Sequence, residues 1–124
     1  MSETRSRSLA VPPELPLSPQ VFHILLALAE GDRHGYAIIQ NVERETEGRI
    51  RLGPGTLYGA LKRLVEAGWV RETARRPEAA DDDQRRRYYT LAPPGRRVLA
   101  SESERLAHAV ARARRAGILR ARGA

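Results

Sequence analysis

The 124-residue sequence predicts a mainly α-helical domain of the α+β class, and three observations support this prediction. Aliphatic residues recur at helical spacing in four segments that Gly or Pro residues bound. Two short segments with aromatic and β-branched residues follow the third helix and are typical of strands. A chain of this length normally forms one domain, so these segments are expected to share one core.

The first helix is predicted to begin at Ser18 and Pro19, because Ser is a good N-cap and Pro suits the first helical position. Gly31 is expected to end it. The segment between is apolar over much of its circumference, which predicts burial on more than one side and places Phe22 at a dimer interface.

A second helix is expected over residues 35–47, after a short turn at residues 32–35. Gly48 is expected to stop this helix. Residues 49–52 alternate charged and apolar side chains, a pattern that permits a short extended segment before the third helix.

The third helix is the segment around which the chain is organised. Its apolar residues lie at i, i+4, i+7 and i+8, on one stripe: Leu57, Leu61, Leu64 and Val65. Residues 53–55 form a breaker ahead of it, Thr56 can cap its first turn, and Gly68 suits a left-handed C-terminal position. Its opposite face carries Thr56, Gly59, Lys62, Arg63 and Glu66.

Residues 69–75 and 85–91 are predicted strands, and the polar segment between them predicts a β-hairpin, or wing. The acidic run 81–83 would repel phosphate. It either points away from DNA or folds back onto the arginines at 85–87, and a plain solvated loop is the simpler alternative.

A long last helix is predicted over residues 94–116, ending at Gly117. Leu99, Leu106 and Ala113 repeat every seven residues, and Val110 follows Leu106 by four. This narrow seam is typical of helices that pair with a second subunit. The expected dimer interface is therefore Phe22, Leu99, Leu106, Val110 and Ala113.

The charge predicts a polyanionic partner. Lys and Arg outnumber Asp and Glu by 22 − 15 = 7, and the pI is about 10.9. The chain has no Cys, and it lacks a phosphate-binding loop, a nucleophile–His–Asp set and a zinc motif, so no enzyme, metal or cofactor is expected. The longest apolar stretch is too short to span a bilayer, so a soluble cytoplasmic protein with no membrane partner is expected.

Three helices, a hairpin and a further helix occur in the order of a winged helix-turn-helix with a C-terminal dimerisation helix. In that arrangement the helix before the wing lies in the major groove of DNA. The expected DNA-binding residues come from the starts of helices two and three, the outer face of helix three and the wing: Tyr36, Gly55, Thr56, Tyr58, Gly59, Lys62, Arg63, Arg75, Arg76, Arg85 and Arg86. Alternatives remain open for four of these residues. Thr56 can be a cap only and Tyr58 can be a core edge. Lys62 and Arg63 can form a solvated charged face.

Several short motifs together resemble the PadR family of bacterial and archaeal transcriptional regulators. They are His34-Gly35-Tyr36, Gly55-Thr56-Leu57-Tyr58, Leu61-Lys62-Arg63-Leu64, Gly68-Trp69-Val70 and Arg87-Tyr88-Tyr89-Thr90-Leu91. The short last helix resembles the subgroup with a small C-terminal region. The resemblance implies a homodimer that binds operator DNA, usually as a repressor, and some relatives release DNA on binding a small molecule. Ala92 departs from the Thr that relatives usually carry there.

The expected organisation has four parts. They are a mobile N-terminal arm (1–17), a winged helix-turn-helix DNA-binding domain (18–92), a dimerisation helix (93–117) and a frayed tail (118–124). Two other functions stay open at this stage. One is a small-molecule-binding dimer with vestigial DNA contact, and the other is a basic protein that coats nucleic acid without sequence preference.

Overall fold

The computed structural model describes residues 15–74 and 87–120. Within these ranges the chain forms four helices and three short strands, in the order α1 (Pro19–Ala29), β1 (Arg33–His34), α2 (Gly35–Glu45), α3 (Pro54–Glu66), β2 (Val70–Thr73), β3 (Tyr88–Leu91) and α4 (Pro93–Arg115). The predicted α+β class is confirmed. In the described ranges no helix is both long enough and apolar enough to cross a bilayer.

The first two helices begin at side-chain caps. The hydroxyl of Ser18 accepts a hydrogen bond from the Val21 N–H at 3.1 Å, and Pro19 occupies the first helical position of α1. The Nδ1 atom of His34 accepts one from the Ala37 N–H at 3.2 Å and caps α2 in the same way. Local sequence signals therefore set both helix starts.

The start of α3 differs from the prediction. Gly53 is the N-cap and Pro54 is the first helical residue, so Thr56 lies within the first turn and does not cap it. Pro is favoured at this position because its φ angle is already helical and it has no N–H to satisfy. Residues 54 and 55 thus belong to the helix that they were expected to precede.

The sheet has the order β1-β3-β2 and is antiparallel throughout. Arg33 pairs with Tyr89 in one ladder, and Val70 pairs with Leu91 in the other. The segment 32–35, expected to be only a turn, thus contains a strand. β2 lies within the predicted strand segment 69–75, and β3 lies within the predicted segment 85–91.

Residues 49–52, expected to permit an extended segment, form no strand. The chain reverses at Glu47 and Gly48, whose φ angles are 55° and 79°. The Thr46 hydroxyl then accepts the Ile50 N–H at 3.0 Å. This side chain supplies the partner that a neighbouring strand would otherwise provide.

The core lies between the three helices of the N-terminal half, and α4 closes one side of it. Its residues are mainly aliphatic, as the 5% aromatic content favours, and Tyr89 is also part of it. They include Ile24, Leu25, Leu28, Ile38, Val42, Leu57, Leu61, Leu64, Val70, Leu91 and Leu99. The inward stripe predicted for α3 is confirmed for its three leucines, while Val65 is only partly buried.

The first turn of α4 packs directly on the junction between α3 and β2. The Ala92 N–H donates to the Trp69 carbonyl oxygen at 2.9 Å. Gly95 is buried one turn later, and a Cβ built on it would overlap that same oxygen and lie 2.9 Å from Leu91 Cδ1. Ala92 is the N-cap without a side-chain hydrogen bond, so close backbone packing fixes this helix start instead.

A buried carboxylate joins α4 to the segment before α1. Glu102 is 1% exposed and accepts two hydrogen bonds from the Arg105 guanidinium, at 2.7 and 2.9 Å. It also accepts the backbone N–H of Leu17 at 3.0 Å, and Leu17 packs against the core. The hydrogen bonds from Arg105, followed by the one from Leu17, lower the pKa of Glu102, although burial opposes them.

Candidate nucleic-acid interface

The 13 residues of α3 divide into a buried face and an exposed one. Leu57, Ala60, Leu61 and Leu64 are buried. The other face is exposed at Gly55, Thr56, Tyr58, Lys62 and Arg63, and Gly59 is partly exposed. A helix of this length spans about 20 Å, enough to lie in a major groove. The structure therefore brings six of the predicted DNA-binding residues onto one accessible helix.

The exposed face of α3 is narrow at the N-terminal end of the helix. Gly55 and Gly59 have no side chain, and a Cβ on Gly59 would meet only Arg63 Nη1, at 3.8 Å. The Arg63 guanidinium thus folds back along the helix over Gly59. Small residues at the entry end permit close approach of the helix backbone to a duplex.

Lys62 and Arg63 supply the positive charge of α3. In the described part of the chain neither forms an ion pair, whereas Arg87 on the neighbouring sheet pairs with Glu72 at 3.3 Å. An unpaired, exposed cation can neutralise phosphate without first giving up a carboxylate partner. These two side chains are therefore the strongest candidates on this helix for contacts with phosphate or guanine.

Two exposed tyrosines lie near the start of α2. Tyr36 is 56% exposed and Tyr58 is 48% exposed. The Tyr58 hydroxyl lies against Gly35, the buried first residue of α2 and the chain neighbour of Tyr36. Tyr58 is thus outside the core, but its ring packs against the surface of α2. It extends the exposed face of α3 as far as α2.

The four predicted wing residues Arg75, Arg76, Arg85 and Arg86 lie outside the described ranges, as does the acidic run 81–83. Their expected roles stay predictions. No cluster of His, Asp or Glu able to hold a metal ion occurs among residues 15–74 and 87–120.

The predicted dimer residues occupy two environments. Phe22 is half-buried against the core, and Leu99 is a core residue with 6% exposure. Leu106 and Ala113 are partly exposed, and Val110 is 40% exposed. The accessible apolar stripe of α4 is therefore Leu106, Val110 and Ala113, hereafter the α4 stripe.

Sequence reasoning missed the contact of Gly35 with Tyr58 and the buried position of Glu102. The motif His34-Gly35-Tyr36 marked the first place, but it did not indicate which side chain lies over the glycine. The spacing of Glu102 and Arg105 permitted an ion pair, yet nothing in it indicated burial.

An exposed basic helix between a capped helix and a small antiparallel sheet is the arrangement of winged helix-turn-helix DNA-binding proteins. Residues 24–101 match the model of the transcriptional regulator PadR-like family. The match covers more than half of the chain, so the chain belongs to the PadR-like family. This is a family of transcriptional regulators.

Known proteins similar to this chain include a curated relative and two proteins with solved structures. An uncharacterized 37.1 kDa protein in transposon TN4556 of Streptomyces fradiae is 44% identical over 89 residues, which is 72% of this chain and 22% of that protein. The chain thus spans about a fifth of the length of that relative.

A transcriptional regulator from Clostridium thermocellum is 28% identical, with a TM-score of 0.61 over 73% of this chain and 82% of that one. PadR from Bacillus subtilis, in complex with operator DNA, is 22% identical, with a TM-score of 0.56 over 69% of this chain and 47% of that one.

Proposed function

We propose that the protein is a sequence-specific DNA-binding repressor that acts as a homodimer on a dyad operator in the cytoplasm of a prokaryote. The observation that carries the proposal is the exposed face of α3, where Lys62 and Arg63 are unpaired within the described ranges. The fold is also that of a protein bound to operator DNA, PadR of Bacillus subtilis.

In this proposal α3 lies in the major groove, and its N-terminal end, which contains Gly55 and Gly59, enters the groove first. Thr56 and Gly59 approach base edges, and Lys62 and Arg63 bind phosphates or guanine. Tyr36 contacts the DNA backbone from the first turn of α2, where N–H groups without intrahelical partners favour an anion. The wing arginines add further phosphate contacts.

A second copy of the chain covers the α4 stripe. α4 is 23 residues long and spans about 34 Å, and its core contacts are confined to its first half. An apolar stripe on the second half is best buried by its symmetric counterpart. The two α3 helices then read half-sites about one DNA turn apart. A small-molecule effector that binds between the paired helices would release the DNA.

The test is a titration of a labelled duplex from the region upstream of the gene, followed by fluorescence anisotropy, with a scrambled duplex of equal length. We expect tighter binding to the upstream duplex and a footprint with a dyad. About eight phosphate contacts in the dimer give a log–log salt slope of about −7.

Two results would contradict the proposal. Equal affinity for both duplexes would favour a protein that coats nucleic acid without preference. A dimer that binds neither duplex at moderate salt would favour vestigial DNA contact, with small-molecule binding as the remaining function.

A further inference from the structure

A side chain at Gly35 would require the Tyr58 ring to move. A Cβ built on it would overlap the hydroxyl of Tyr58 and would lie 2.5 Å from Cζ and 2.9 Å from Cε1 of that ring. The φ angle of Gly35 is outside the left-handed region, so its backbone conformation does not require glycine. Steric contact with one side chain of α3 is the constraint that remains.

The missing side chain of Gly35 leaves the space that the Tyr58 ring occupies. The ring leaves the exposed face of α3, crosses to α2, and ends at the residue beside Tyr36. Both tyrosines remain about half exposed, at 56% for Tyr36 and 48% for Tyr58. A phenol hydroxyl donates well to phosphate oxygens, and a tyrosine held by packing loses little further freedom on binding.

We propose that Gly35 is a positioning residue for DNA binding, which fixes Tyr58 beside Tyr36 so that both rings contact the phosphate backbone flanking the groove that α3 occupies. The inference rests on the DNA-binding function proposed above. Phosphate contacts carry no sequence information, so the effect of Gly35 is the same on operator and on scrambled DNA.

The experiment is a double-mutant cycle of wild type, Gly35→Ala, Tyr58→Ala and the double variant, each titrated against operator and scrambled duplexes. A hydrogen bond to a charged group is lost when Tyr58 is displaced, so Gly35→Ala weakens binding to both duplexes about ten-fold. In the Tyr58→Ala background the space is open, and Gly35→Ala changes affinity by less than about two-fold.

A melting experiment separates the steric effect from the contact with DNA. Tyr58→Phe keeps the ring carbons that a new Cβ would meet, so Gly35→Ala lowers Tm in the Tyr58→Phe background as in wild type. In the Tyr58→Ala background it does not. The matched control is Gly31→Ala, since a Cβ on Gly31 meets nothing within 4 Å.

If Gly35→Ala alone does not fold, the double variant must fold and bind like Tyr58→Ala. Failure of the double variant to fold, equal losses in both backgrounds, or a loss confined to the operator would each overturn the inference. A wild-type protein that binds no DNA refutes the proposed function as well. Normal wild-type binding with equal losses in both backgrounds refutes the inference alone.

Discussion

Single side chains differ in how far the sequence predicts their roles. Ser18 caps α1 as predicted, because the cap and the N–H that it accepts are three residues apart. Glu102 resembles any other charged residue on α4, since its backbone partner Leu17 is 85 positions away. Contacts of that range depend on how whole elements pack, and a local pattern carries no information about them.

Glu102→Gln should make the stability of the protein less dependent on pH. The pKa of Glu102 is lowered by the hydrogen bonds from Arg105, so the folded state binds a proton there less readily than the unfolded chain does. The stability gained is fully present above the ordinary carboxyl value of about 4.3 and is lost as pH falls through the lowered folded-state pKa. Urea denaturation at a series of pH values measures the effect.

We expect Glu102→Gln to be less stable than wild type at pH 7, with a difference that shrinks in acid. Glu104→Gln, an exposed change two residues along the same helix, is the matched control and should leave the profile unchanged. A difference between Glu102→Gln and wild type that is independent of pH would contradict the role of ionised Glu102.

Gly95→Ala should lower the free energy of unfolding by about 1–3 kcal/mol, as overpacked sites do. The new Cβ would meet the backbone oxygen of Trp69, which cannot move without disturbing the start of β2. Gly59→Ala makes the same chemical change where the nearest atom is 3.8 Å away. It should raise stability by about 0.5–1 kcal/mol, because alanine favours a helix interior over glycine. Thermal melts compare the two, and destabilisation of equal size would contradict the steric argument.

At the scale of elements, periodicity predicted inner faces well and ends less well. The leucines of α3 face the core as their spacing required, while the helix already starts at Pro54, inside the segment 53–55 that was expected to precede it. β1 has only two residues, Arg33 and His34, too few for any alternating pattern. It is a strand only because Tyr88 and Tyr89 lie beside it, so its existence depends on tertiary structure.

Lys62→Ala and Arg63→Ala should each weaken DNA binding without loss of stability, since both side chains are exposed. Loss of one phosphate contact per subunit makes the log–log salt slope of the dimer shallower by about 2. If the removed side chain binds guanine instead, its loss reduces the preference for operator over scrambled DNA, by about 1–3 kcal/mol for each base contact. Anisotropy titrations at several salt concentrations distinguish the two roles.

Glu66→Gln is the control for these two variants. Glu66 is exposed at the last residue of α3, and its neutralisation removes a negative charge near the DNA. It should not weaken binding. Unchanged DNA affinity in both Lys62→Ala and Arg63→Ala would contradict the proposal that α3 is the DNA-binding helix.

At the scale of the whole molecule, the seven-residue repeat of α4 spans two environments. Leu99, its first member, is in the core, whereas Leu106 and Ala113 are partly exposed. A sequence repeat shows that a stripe is apolar and does not show where one partner surface ends and the next begins. That boundary depends on how far the rest of the fold extends along α4.

Val110→Glu should convert the protein to a monomer, because a carboxylate in the α4 stripe would be buried near its symmetric copy. Operator affinity should fall with it, since one half-site then binds alone. His108→Glu places the same charge on the opposite side of α4 and should leave the dimer intact. Sedimentation equilibrium measures the mass, and a wild-type monomer at micromolar concentration would contradict the proposed interface.

Only Ala92 separates β3 from α4. Its N–H donates a hydrogen bond to the carbonyl oxygen of Trp69, which lies between α3 and β2. This junction contains no flexible linker. In the proposed dimer the two α3 helices are therefore held at a fixed distance and a fixed relative rotation. One base pair inserted at the operator centre turns one half-site by about 34° relative to the other. A rigid junction cannot follow that turn, so spacer length should limit target choice as strictly as base sequence does.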